Sequence, residues 1–144
     1  MWGGRSSPGH CSNDVITFDP EQRKWGVMET EGFGPRGRHR HTCDVIGNRM
    51  WVVGGKFEGK FSNDESAVVS LDLQQKKWTD ELQFREFPNI HSHSCCVDGK
   101  KLIVNGGIFC DVTINNEFAV WEVDTGEKSC KKFVSIYLKT FIYL

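Results

Sequence analysis

Two short runs set imidazole and thiol side chains at alternate positions: His39, His41 and Cys43, and again His91, His93 and Cys95. On an extended strand every second side chain shares a face, so each trio would be aimed one way, and imidazole with thiolate suits zinc. The two sets sit at the same point of an internal repeat, which argues for a structural part used twice rather than for two metal centres. No metal and no cofactor is therefore expected. The run RGRHRH, Arg36 to His41, carries clustered guanidinium groups of the kind that contact phosphates, but it is short and isolated in a chain with 18 Lys and Arg against 19 Asp and Glu, net charge −1. Such a balance supplies no field for nucleic acid or an anionic membrane surface. There is no GxGxxG, phosphate-binding loop, GxSxG or HExxH, so no catalytic residues are assigned.

The elements that must position these residues are short strands. Fifteen glycines, five tryptophans and four prolines in 144 residues fit a turn-rich β protein, since glycine takes positive φ at tight turns and aromatics fill half-buried pleated surfaces. Gly-Gly pairs recur at Gly3-Gly4, Gly54-Gly55 and Gly106-Gly107, with periods of 51 and 52 residues. The stretches HTCDVIGNRMWVVGG, His41 to Gly55, and HSCCVDGKKLIVNGG, His93 to Gly107, align without a gap. In each, two apolar runs flank a tight turn, Gly47-Asn48 or Gly99-Lys100, which predicts a β-hairpin. After each Gly-Gly comes a polar stretch, then VITFD, VVSLD or VWEVD, ending on Asp19, Asp72 or Asp124, each suited to start a turn. A tryptophan follows that Asp by six residues at Trp25 and Trp78. Cys130 takes the place in the third repeat.

This order of a His-Ser/Thr strand, an apolar strand ending in Gly-Gly, a strand ending in Asp and a Trp six residues on resembles the kelch motif, over residues 1 to about 132. The resemblance implies an all-β fold of four-stranded antiparallel propeller blades: a partial first blade over 1–35, a second over 36–88 and a third over 89–132, with 133–144 as an apolar tail outside the pattern. Gly3, Gly4, Trp25, His41, Gly54, Gly55, Trp78, His93, Gly106 and Gly107 are the expected structural set, His41 and His93 bonding backbone across a turn and both tryptophans buried. About three repeats fall short of the four to eight blades that close a ring. The ring is expected to be completed by repeats missing here or by another chain. Cys11, Cys43, Cys95, Cys96, Cys110 and Cys130 show no CxxC spacing, and Met1-Trp2-Gly3-Gly4-Arg5 lacks the marks of a secretory signal, so the thiols are expected reduced and buried, and the chain cytoplasmic or nuclear. The tail FVSIYLKTFIYL is too short to span a bilayer.

With blade strands named a to d from inside out, the b-to-c and d-to-a loops gather on one rim, and loops on a rigid scaffold are where binding concentrates. Those loops hold Arg5, Arg36, Arg38, Lys56 and Arg85 with Phe33, Phe57, Phe61, Phe84 and Phe109. Arg5, Arg36, Arg38, Lys56, Phe57, Phe61, Arg85 and Phe109 are the expected partner-binding set, suited to a peptide with acidic residues or a free C-terminal carboxylate. The expected function is a protein-interaction module, as in similar kelch proteins that serve as substrate receptors of cullin ubiquitin ligases, adaptors or scaffolds, and not an enzyme. The alternative is a kelch domain attached to an enzyme, or a kelch-like metal oxidase fragment.

Overall fold

The computed structural model describes residues 1–32, 34–58, 66–81, 84, 86–109 and 119–134. Within them every regular element is a β-strand. A hairpin of β1 (Arg5–Ser7) and β2 (His10–Cys11) precedes β3 (Val15–Asp19) and β4 (Lys24–Met28), which pair antiparallel as the outer half of a first blade. The second blade is the four-stranded antiparallel sheet of β5 (Thr42–Ile46), β6 (Arg49–Val53), β7 (Val68–Asp72) and β8 (Lys77–Asp80). The third has the same order in β10 (Ser94–Asp98), β11 (Lys101–Asn105), β13 (Ala119–Asp124) and β14 (Ser129–Val134). Beside it the two-residue strands β9 (Ile90–His91) and β12 (Ile108–Phe109) pair with each other. The architecture is the all-β series of propeller blades that the repeat implies, and β14 runs to Val134, past the boundary expected at 132.

Burial follows from blade stacking. In β6, Met50 and Val52 point into a cluster with Trp2, Val15, Val69 and Leu71 of the first interface, while Trp51 and Val53 point into one with Val68, Phe84, Phe87, Ile90, Leu102, Val104 and Val123 of the second. Successive side chains on a strand face opposite ways, so a strand with a blade on each side reads as an unbroken apolar run. Val52, Val68, Leu71, Leu102, Val104 and Val123 are fully buried. Removal of each such side chain from water stabilises the fold by about 1.5–3 kcal/mol. The outer blades have one neighbour each in this chain, and their strands alternate: in β3 only Val15 is buried, and in β11 only Leu102 and Val104.

The turn between strands c and d is built the same way three times. The Oδ1 of Asp19 accepts from the amides of Glu21 and Gln22, that of Asp72 from Gln74 and Gln75, and that of Asp124 from Gly126 and Glu127, all at 2.8–3.0 Å. Four residues past each Asp the chain turns left-handed, at Arg23, Lys76 and Lys128, with φ of 53°, 56° and 56°.

Two expectations are corrected. Trp25 is 64% exposed, with its ring against only Phe18 at 4.8 Å among the described rings, whereas Trp78 is half-buried, 5.3 Å from the ring of Trp2 and against Gly34. The surface covering Trp78 is supplied by the preceding blade, and among the described residues none stands in Trp2's place for Trp25. The cysteines are not uniformly buried either, since Cys43 and Cys96 on the inner strands are exposed. The inner strands β5 and β10 are edge strands of their sheets, and neither face of them is fully buried. No disulfide joins the described cysteines, and Cys110 lies outside the described residues. Cys130, in the place of a tryptophan, packs half-buried on the second cluster, and burial pushes its thiol up to about 11.

Candidate binding rim

The first two Gly-Gly pairs are each a joint between two blades. The amide of Gly4 donates to the Arg38 carbonyl at 2.9 Å, and that of Gly55 to the Ile90 carbonyl at 2.7 Å. Arg38 and Ile90 hold equivalent places, three residues before the blade's histidine. Nε2 of His41 donates to the Trp2 carbonyl at 3.1 Å, and the ring of His93 bonds the corresponding Val53 carbonyl. His93 Nε2 also lies 2.9 Å from Thr42 Oγ1 on the inner strand of the second blade. Glycine is required because the chains touch here: a Cβ at Gly54, φ +61°, would lie 2.2 Å from the Ile90 carbonyl oxygen and 2.7 Å from His93 Cε1. Burial holds both imidazoles below their ordinary range, His93 at about 4, with the Arg38 charge adding to the effect at His41 and the proximity of the His41 ring at His93. They are neutral hydrogen-bonding parts. His41 and His93 each bond a main-chain carbonyl of the preceding blade, while His39 stands beside Glu58 and Cys43 is exposed.

The loops that follow form the rim, but two expected contact residues lie beneath it. Arg38 is 2% exposed, donates from Nη1 to the carbonyls of Gly54 at 3.0 Å and Ser66 at 3.3 Å, and lies over the Phe57 ring at 4.5 Å. Phe57 is 3% exposed. Together they plug the space between the first two blades, which the repeat signals on inspection: Arg38 aligns with the buried Ile90. Phe84 is likewise interior, against Trp51. Part of the first d-to-a connection is also not rim, because Glu31 bridges Lys77 on the outer strand of the second blade.

Exposed on the rim are Arg5, Arg36, Arg40 and Lys56, while Phe109 is half-buried against the second core cluster. Arg5 Nε lies 2.6 Å from Glu58 Oε1, Arg36 donates to the Glu58 carbonyl and lies over the Phe57 ring at 5.5 Å, and Lys56 pairs its backbone with that of His39. Partial burial, then Arg40 and Arg5, lower the pKa of His39; burial, then Lys56 and Arg40, lower that of His91. Three loops and two inner-strand entries thus converge on one cationic surface. Phe33, Phe61 and Arg85 lie outside the described residues. Arg40 was absent from the expected set; its place beside His39 on a left-handed residue, φ 59°, is a feature of the backbone that spacing alone does not reveal.

Comparison with known proteins agrees with this geometry. Residues 1–135 match the family described as KLHDC2/KLHL20/DRC7 Kelch-repeats domain. The chain is 30% identical to the Bos taurus kelch domain-containing protein 3 over 115 residues, which is 74% of this chain and 28% of that protein. It is 28% identical to the Mus musculus Rab9 effector protein with kelch motifs over 113 residues, 77% of this chain and 30% of that protein. To the Rho GTPase-activating protein gacHH of Dictyostelium discoideum it is 38% identical over 73 residues, 47% of this chain and 5% of that protein. The chain spans less than a third of the length of these relatives. With the blade order, the joint histidines and the Gly-Gly pairs in register over residues 1–135, the chain belongs to the kelch-repeat family.

Proposed function

We propose that this chain is a protein-interaction module whose rim takes a peptide bearing acidic side chains or a free C-terminal carboxylate. The observation that carries the reading is the convergence of exposed Arg5, Arg36, Arg40 and Lys56 on one rim, where Arg5 already holds a carboxylate, that of Glu58. Guanidinium groups in fixed orientation bind carboxylates through paired, charge-assisted hydrogen bonds, and a cationic rim speeds encounter with an acidic partner. The family and the relative named as a Rab9 effector support protein binding in general. The finer role, as substrate receptor of a cullin ubiquitin ligase, adaptor or scaffold, acting in the cytoplasm or nucleus and without catalysis of its own, belongs to the same proposal.

Fluorescence anisotropy with three labelled peptides tests it: one acidic internally and amidated, one neutral with a free C-terminal carboxylate, and one neutral and amidated. Binding of either of the first two, weakened at least tenfold by Arg36→Glu with Lys56→Glu and unchanged by Asn48→Asp on the opposite turn, is expected. Equal binding of all three, or loss only on changing the opposite turns, refutes the assignment of face and chemistry.

A further inference from the structure

Three residues far apart in sequence meet at the base of the rim. Cys11 closes the β1–β2 hairpin of the first blade, His39 enters the inner strand of the second, and Glu58 lies in the loop after β6. Their ligating atoms, a thiol sulfur, an imidazole nitrogen and a carboxylate oxygen, all lie within 4.8 Å of one another, with His39 Nε2 3.9 Å from Glu58 Oε1. All three are half-buried. A tetrahedral zinc ion with ordinary bond lengths holds such ligands roughly 3.3–3.6 Å apart, so rotamer adjustment of about an ångström closes the set.

We propose that Cys11, His39 and Glu58 form a binding site for a zinc-class divalent ion, three protein ligands with one position left to water or to a bound partner. The chemistry of the donor set decides the class of ion. Thiolate and imidazole favour zinc, while calcium and magnesium need several oxygens, and here there is one carboxylate. The surroundings sharpen the choice: Arg5, Arg36, Arg40 and Lys56 repel any cation whose affinity is purely electrostatic. On binding, the thiol releases its proton to solvent as the metal–sulfur bond forms, and thiolate plus carboxylate cancel the ion's two charges. Arg5 is the positioning residue. Its Nε holds Glu58 Oε1 at 2.6 Å, the kind of outer contact that orients a ligating carboxylate. The ion would tie the hairpin of one blade to the loop and inner-strand entry of the next, fixing the rim's shape across a blade boundary.

The test is titration of the reduced, metal-free 144-residue chain with zinc against a chromophoric chelator, repeated with magnesium and with calcium, and with cobalt as a spectroscopic substitute. One zinc per chain, no competition from millimolar magnesium or calcium, and a thiolate-to-cobalt charge-transfer band are expected. Cys11→Ser and His39→Gln should each weaken zinc by more than about 100-fold, and Arg5→Ala by about 10–100-fold. Cys43→Ser, which changes an exposed thiol away from the site, should retain both the ion and the band. Folding of each variant is checked by circular dichroism, and if Cys11→Ser does not fold, His39→Gln decides. Sub-stoichiometric binding by the folded parent chain, or unchanged affinity in the folded His39→Gln variant, overturns the proposal, the second result placing the ion on other thiols.

Discussion

Replacing Gly54 by alanine should destabilise the chain far more than the same change at Gly47, although the two share a backbone conformation, φ 61° and 59°. A Cβ in the left-handed region costs about 1–2 kcal/mol at either site. Gly47 sits in the open a-to-b turn with nothing within 4 Å of the added methyl, so that strain, partly offset by the narrower unfolded ensemble, leaves about 1 kcal/mol. At Gly54 the methyl would meet the Ile90 carbonyl oxygen at 2.2 Å and His93 Cε1 at 2.7 Å. Neither neighbour can retreat alone, since that carbonyl accepts from the Gly55 amide and the imidazole is held by Val53 and Thr42. Relief requires the third blade to move, and overpacking of that kind costs about 1–3 kcal/mol more. Urea denaturation followed by tryptophan fluorescence, with equal slopes, should give about 2–5 kcal/mol for Gly54→Ala. A difference between the two variants below about 0.5 kcal/mol would mean that the pair recurs in this repeat for its turn alone, and that the joint does not exist as described.

Trp78→Ala should cost about 3 kcal/mol and Trp25→Ala under about 1 kcal/mol in the same melts, because the first ring packs on Trp2 and the second is largely in solvent. Arg38→Ala should cost about 2–3 kcal/mol by stranding the carbonyls it serves, whereas Arg36→Ala should stay near 0.5 kcal/mol; equal losses would place Arg38 on the surface after all. His93, at about 4 in the folded chain against an ordinary 6.5, favours folding in its neutral form. Its contribution is whole above pH 6.5, drains as pH falls towards 4 and is spent below that, at most about 3 kcal/mol. Stability measured at pH 7.5 and 4.5 should show a smaller acid loss in His93→Gln than in the parent chain.

The blades, their strand bounds and the capped c-to-d turns were legible because they repeat: a glycine pair, an aspartate and an alternating or unbroken apolar run each have one structural meaning when found at one period. The rim was legible only as a set of loops. Arg38 and Phe57 look like contact residues when loops are read one at a time, and look interior once Arg38 is laid over Ile90, so the same repeat held the correction. Trp25 misled for the opposite reason. Its place in the repeat is that of Trp78, but burial is conferred by the neighbouring blade, and that neighbour differs. Cys11, His39 and Glu58 carried no joint signal, because their meeting depends on how one hairpin leans across a blade boundary.

The Gly-Gly joint has a consequence for how such chains diversify. At this joint adjacent blades meet through main-chain carbonyls, amide hydrogens and one imidazole, beside side-chain clusters that differ from one boundary to the next. A joint written in backbone is the same at both described boundaries, so when a blade is duplicated or exchanged the joint is kept and compensation falls on the side-chain clusters alone. Selection is then free to rewrite the loops one blade at a time, and a new specificity can arise at the rim while the ring keeps a common socket.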